Sequence, residues 1–180
     1  TDGSNSSATS SVITVSDEAK PVIVSAVTGD NNSDGTVDRL TLTFSESVEI
    51  TDGGSDNDIT LAASTGSASI TAGSYATTAS TLVYTISGAT AGNTSLTIDP
   101  TYAVSGAGII KDASNNEMSN SETVSGSDGA APVLLSATYK DTNGNGTVNR
   151  IDAVYSEVIT SSTFESGDWT FPANPAGLSV

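Results

Sequence analysis

Asp30-Asn31-Asn32-Ser33-Asp34-Gly35-Thr36-Val37-Asp38 runs directly into Arg39-Leu40-Thr41-Leu42-Thr43-Phe44, so a cluster of oxygen-bearing side chains abuts an apolar pattern of period two. The alternation is that of a strand with one buried face. The polar stretch before it is spaced for a cation. Asp30, Asn32 and Asp34 stand at positions 1, 3 and 5 of a loop with EF-hand spacing, Gly35 at 6 allows the sharp turn, the Thr36 carbonyl serves at 7 and Asp38 at 9. Calcium binds through oxygen, so this residue choice predicts a calcium loop. Position 12 departs from the motif: Thr41 lies on the strand face opposite Leu40, and no side chain is expected to close the site from there. The same residues also suit an ordinary turn, because Asx side chains bond to nearby backbone and glycine accepts positive φ.

Recurrence favours the cation. Asp141-Thr142-Asn143-Gly144-Asn145-Gly146-Thr147-Val148-Asn149 repeats the loop, placing Asp141, Asn143, Asn145, Thr147 and Asn149 at the same five positions with fewer carboxylates. Aligning Pro21 on Pro132 gives an offset of 132 − 21 = 111, which holds without a gap from Ala19 to Glu46 against Ala130 to Glu157. A period of this size is that of a domain. Residues 19–129 therefore read as one complete unit and 130–180 as the first part of the next. Residues 1–18, whose Asp2 and Asp17 match Asp112 and Asp128, read as the last strand and tail of a preceding unit. Glu46 and Glu157, in the repeated Ser-Glu, read as solvated strand ends or as ligands of an ion at a junction.

Strands are expected near residues 22–28, 37–46, 58–63, 67–72, 81–87, 94–98 and 121–125, separated by Gly, Asn, Asp and Ser, with no helical pattern. About seven short strands in one unit match an immunoglobulin-like β-sandwich, so the fold class expected is all-β, tandem immunoglobulin-like domains. Residues 130–180 would expose an inner face of Ile151, Ala153, Tyr155, Trp169 and Phe171, which implies either a segment of a longer protein or completion by strands of another chain.

Pro21-Val22-Ile23-Val24-Ser25-Ala26, the acidic loop, Leu40-Thr41-Leu42-Thr43-Phe44-Ser45-Glu46 and Ile110-Lys111-Asp112-Ala113-Ser114-Asn115 together resemble bacterial Ig-like domains found in tandem in S-layer proteins and large adhesins. The likeness covers nearly the whole chain, through short motifs. It implies an extracellular sandwich in a repeated array, often calcium-stabilised.

Composition agrees with that setting and narrows the chemistry. A net charge of −16, with only five Lys and Arg, lacks the footprint of a nucleic-acid binder and makes cations the natural partners. The absence of cysteine removes disulfides, and with no histidine the Ser-His-Asp and Cys-His arrangements are excluded. With 36% hydrophobic and 5% aromatic residues any core is small and aliphatic, and bound metal is the available supplement. No run of 18 apolar residues suggests membrane insertion. Carboxylate pairs such as Asp56/Asp58 arise by default in so acidic a chain, and Trp169 reads as a core residue before a sugar platform. The expected function is a non-enzymatic structural repeat of a secreted cell-surface assembly, an S-layer or filament, stiffened by calcium and partnered by neighbouring repeats of the same protein. The alternatives are the stalk of a calcium-dependent adhesin and an accessory region of a secreted polysaccharide hydrolase.

Overall fold

The structure, a computed structural model, describes residues 13–50, 59–73, 79–103 and 109–160. Within them the polypeptide forms strands and turns, with no helix. In chain order the strands are β1 (Ile23–Gly29), β2 (Arg39–Ile50), β3 (Ile59–Ala63), β4 (Ser69–Gly73), β5 (Ala79–Ser87), β6 (Ile98–Tyr102), β7 (Ile110–Lys111), β8 (Glu122–Thr123), β9 (Gly126–Ser127), β10 (Leu134–Lys140) and β11 (Arg150–Tyr155). One sheet has the order β4-β5-β2-β1-β9 with β7 paired to β2; a second has the order β3-β6-β8. All these pairs are antiparallel except β1 with β9.

The period-two residues meet where the two sheets face each other. Leu40, Leu42 and Phe44 from β2, Leu82, Tyr84 and Ile86 from β5, and Ile23 and Ala26 from β1 share one core with Ile59, Ile98 and Tyr102 of the second sheet. Val37, Leu96 and Met118 fill it from the connections, giving a sandwich-like, all-β body. Each large aliphatic buried here contributes roughly 1.5–3 kcal/mol. Buried polar groups tie the layers: the Thr28 hydroxyl donates to the Leu96 carbonyl at 2.8 Å, and the Ile110 amide donates to the Tyr102 hydroxyl at 3.1 Å.

The strand expected over 94–98 instead starts at Ile98 and continues to Tyr102, through Pro100. Proline normally argues against a strand interior, which is why the pattern reads as ending early. The expected 121–125 strand is two pieces, β8 in the second sheet and β9 beside β1 in the first. That crossing is tight. The Gly126 amide donates to Asp99 Oδ1 at 2.7 Å, and a Cβ added at Gly126 would stand 2.0 Å from the Ile98 carbonyl oxygen.

β10 and β11 form a hairpin that repeats β1 and β2 in register. Ile23 pairs with Phe44 and Ser25 with Thr43; Leu134 pairs with Tyr155 and Ser136 with Val154, with the same register shift between the two pairs. Leu134, Val148 and Ala153 are exposed, where the matching Ile23, Val37 and Leu42 are buried. Trp169, Phe171, Asp56 and residues 1–12 lie outside the described residues.

Leu42→Ala is expected to cost ~2–5 kcal/mol in equilibrium denaturation, as a large-to-small core change. Gly126→Ala should reach or exceed the ~1–3 kcal/mol typical of overpacking, because a backbone carbonyl cannot swing aside. Unchanged stability in Gly126→Ala would contradict the close crossing of β9 over β6.

Candidate metal centres

The two loops predicted from sequence have one geometry. In the first, Asp30 Oδ2 accepts from the Gly35 amide at 2.7 Å, Asn32 Oδ1 from Asp34 N at 3.1 Å, Asp34 Oδ1 from Thr36 N at 2.9 Å and Asp38 Oδ1 from Asn31 N at 2.7 Å. In the second, Asp141 Oδ2 accepts from Gly146 N at 2.7 Å, Asn143 Oδ1 from Asn145 N at 3.3 Å, Asn145 Oδ1 from Thr147 N at 2.8 Å and Asn149 Oδ1 from Thr142 N at 2.9 Å. Backbone sign follows: φ is +58° at Ser33 and +69° at Gly144, and +85° at Gly35 and +83° at Gly146. Gly35 and Gly146 are thus required by the left-handed turn the sequence assigned to them.

These contacts make each loop a chain of Asx turns closed by Asp30 or Asp141. In the first loop each of these oxygens accepts one such bond and keeps a second lone pair, so the donor set fits a hard cation chemically; in the second, Asn149 Oδ1 also accepts from the Thr142 hydroxyl at 2.9 Å. Its carboxylates are directed at the loop's own amides. The Gly146 amide foremost, helped by that of Gly144, holds the Asp141 carboxyl below its ordinary value against partial burial. The stability this contributes is present above the unfolded pKa and is lost as pH falls through the folded one. At position 12, Asp152 is engaged by Arg150 and Lys140, both of which hold its carboxyl well below the usual range. Thr41 is half-buried on β2, between the buried Leu40 and Leu42.

A different group of acids converges. Asp17 from the segment before β1, Glu46 from β2 and Asp112 after β7 each offer an oxygen, and the three lie within 4.8 Å of one another. It is the one group of three or more potential acidic ligands found among the described residues. Asp112 is 2% exposed, and its carboxylate is fixed by the Asn116 backbone amide and side chain, each at 2.7 Å. Asn116 also donates to the Asp17 carbonyl at 3.1 Å, which holds the incoming segment against the body. Burial, then the charges of Asp112 and Asp17, push the Glu46 carboxyl above its ordinary value. For Asp112, burial opposes ionisation, but hydrogen bonds led by the Asn116 side chain outweigh it and lower the value. An ionised Glu46 is thus disfavoured by burial and then by its acidic neighbours, a condition a bridging cation relieves.

Sequence reading offered Glu46 only as one of two options and passed over Asp17 and Asp112. The signal available was the recurrence of Asp17 as Asp128 and of Glu46 as Glu157. Asp112 recurs as Asp2, but its meeting with Asp17 and Glu46 is set only by the fold.

The first loop is also a seat for the second hairpin. A Cβ added at Gly35 would stand 2.6 Å from Leu135 Cδ2, with Ser156 Cβ at 3.5 Å and Val133 Cβ at 3.8 Å. The Thr94 and Ser156 hydroxyls hydrogen-bond at 2.7 Å, and Ser156 Oγ accepts from the Val133 amide at 2.8 Å. Burial pushes the Glu157 carboxyl up, against a hydrogen bond from Thr94 and with the charge of Asp128.

Two outcomes follow from this geometry. Glu46→Gln should raise the melting temperature at pH 7 in a chelator, and the gain should shrink as pH falls toward the ordinary Glu value, since a raised pKa makes ionisation costly to the folded state. A loss of stability at pH 7 would contradict the repulsive cluster. Gly35→Ala should cost ~1–2 kcal/mol from the left-handed backbone alone, with an added clash that Leu135→Ala in the same chain removes. Failure of Leu135→Ala to recover any of the loss would show that the second hairpin does not press on the loop. No family model, curated protein or solved structure matches the chain.

Proposed function

We propose that this chain is a non-catalytic structural module, built of tandem immunoglobulin-like repeats that cations stiffen, in a secreted cell-surface assembly such as an S-layer or filament. The observation that carries the reading is the recurrence of the β1–β2 hairpin as β10–β11, in the same register and seated against the loop of the first copy. An element that repeats at an offset of 132 − 21 = 111 residues and rests on its predecessor through Gly35, Thr94 and Ser156 suits an extending rod.

Calcium is the cation proposed, at two kinds of place. The loops at Asp30–Asp38 and Asp141–Asn149 would take it through side-chain and carbonyl oxygens, stiffening the hairpin turns. Asp17, Glu46 and Asp112 would take it at the point where the chain enters β1, fixing the connecting segment to the body. Neutralising carboxylates held close together is the energetic source of the stiffening. The composition, with its charge of −16 and no cysteine or histidine, favours an extracellular, cation-rich setting over catalysis.

Calorimetric titration and thermal melting test this directly. Calcium should bind and raise the melting temperature, by the equivalent of about 2.7 kcal/mol when its concentration is 100 times the Kd. Asp112→Asn combined with Glu46→Gln should weaken the effect, and Asp30→Asn should weaken it separately if the loop is a second site. No heat of binding at millimolar calcium, together with identical melting in a chelator, would overturn the cation reading.

A further inference from the structure

We infer that the outer face formed by Val22 just before β1, Val24 of β1 and Ser45 of β2 is a docking surface for the loop end of another copy of this repeat placed ahead of it in the same polypeptide. The inference rests on the tandem reading above and adds a face and the residues that meet there. At an offset of 132 − 21 = 111, Val22, Val24 and Ser45 correspond to Val133, Leu135 and Ser156.

The second set is in use. Val133, Leu135 and Ser156 rest against Gly35, and a Cβ added at Gly92 would stand 3.1 Å from Leu135 Cδ1. Ser156 is 6% exposed and hydrogen-bonds Thr94, whose backbone amide also donates to the Ser156 carbonyl at 3.4 Å.

The first set has the same local geometry without a cover. Ser45 Oγ accepts from the Val22 amide at 3.1 Å, as Ser156 Oγ accepts from Val133, and the Ser45 amide donates to the Val22 carbonyl at 2.9 Å, as the Ser156 amide donates to that of Val133 at 2.9 Å. Yet Ser45 is exposed where Ser156 is 6% exposed, Val24 is 57% exposed against 41% for Leu135, and Val22 is 39% exposed where Val133 is half-buried, while Ile23 between the valines is buried in the core. Two outward valines beside a pre-positioned serine are what remains of the seated arrangement when its partner is taken away. The face that fits them is the one their counterparts already touch: a glycine pair that admits an aliphatic side chain, and a threonine hydroxyl for the serine. Electrostatics are compatible, since Glu46 would meet that partner's Thr94 as Glu157 does here, with Asp17 in the place of Asp128.

The test uses the full chain with residues 19–129 inserted a second time between Glu18 and Ala19, which preserves the natural spacing across the new junction. Because the protein has no cysteine, paired cysteines report the contact without background. Thr94→Cys in the inserted copy with Ser45→Cys in the following copy should form a disulfide under mild oxidation. Its yield should match, within about two-fold, that of the reference pair Thr94→Cys and Ser156→Cys at the junction already described. Val24→Asp should suppress the new disulfide at least ten-fold, while leaving the melting temperature of the original chain unchanged, as its exposure allows. A reference pair that oxidises while the new pair stays reduced would overturn this inference alone. Failure of the reference pair would remove the seated hairpin itself, and with it both this inference and the tandem reading.

Discussion

The turn between β1 and β2 must do two things at once, and the rest of the molecule depends on its doing both. It has to close a hairpin whose strands carry the core, and it has to leave room for the second copy of that hairpin, β10–β11. Asp30 meets the first need by accepting the Gly35 amide across the loop. Gly35 meets the second by having no side chain where Leu135 and Ser156 approach. A residue with a Cβ would fail on both counts, through a φ of +85° and through the 2.6 Å approach. The second loop meets the first demand with the same bonds, and nothing lies within 4 Å of a Cβ added at Gly146.

Electrostatics then separate two kinds of acidic residue. Those in the loops are stabilised by amides, which is why Asp141 is held in its ionised form. Those at Asp17, Glu46 and Asp112 face one another, and Glu46 resists ionisation through its burial first and then through the charges of the other two. In a chain of charge −16 most carboxylates gain by staying apart, so a place where three converge over a buried, hydrogen-bonded Asp112 is costly without a counter-charge. This contrast makes the entry to β1 the better-gathered set of carboxylates, while the loops offer the more complete set of oxygens.

The hairpins were legible in the sequence because their determinants are local: alternation in Leu40, Leu42 and Phe44, turn chemistry in Asp30 to Gly35, and the recurrence of both at a fixed offset. The buried residues Leu96 and Ile98 were also foreseen, though as a strand ending where β6 in fact begins, because Pro100 disguises its continuation. β7 and the division into β8 and β9 were not legible, since two-residue strands have no period and owe their existence to neighbours already in place. The acid cluster is likewise a product of topology. Asp17 and Asp112 are distant in sequence and meet because β7 pairs the end of β2 while Asn116 holds the incoming segment.

The second copy of the hairpin meets the first at its loop end, where the Thr94 and Ser156 hydroxyls bond to each other. A double-mutant cycle with Thr94→Val and Ser156→Ala, read by equilibrium denaturation, measures that contact directly. A coupling of about 0.5–3 kcal/mol is expected, the range for residues that touch. Strict additivity of the two substitutions would contradict it, because residues that do not meet have nothing to couple.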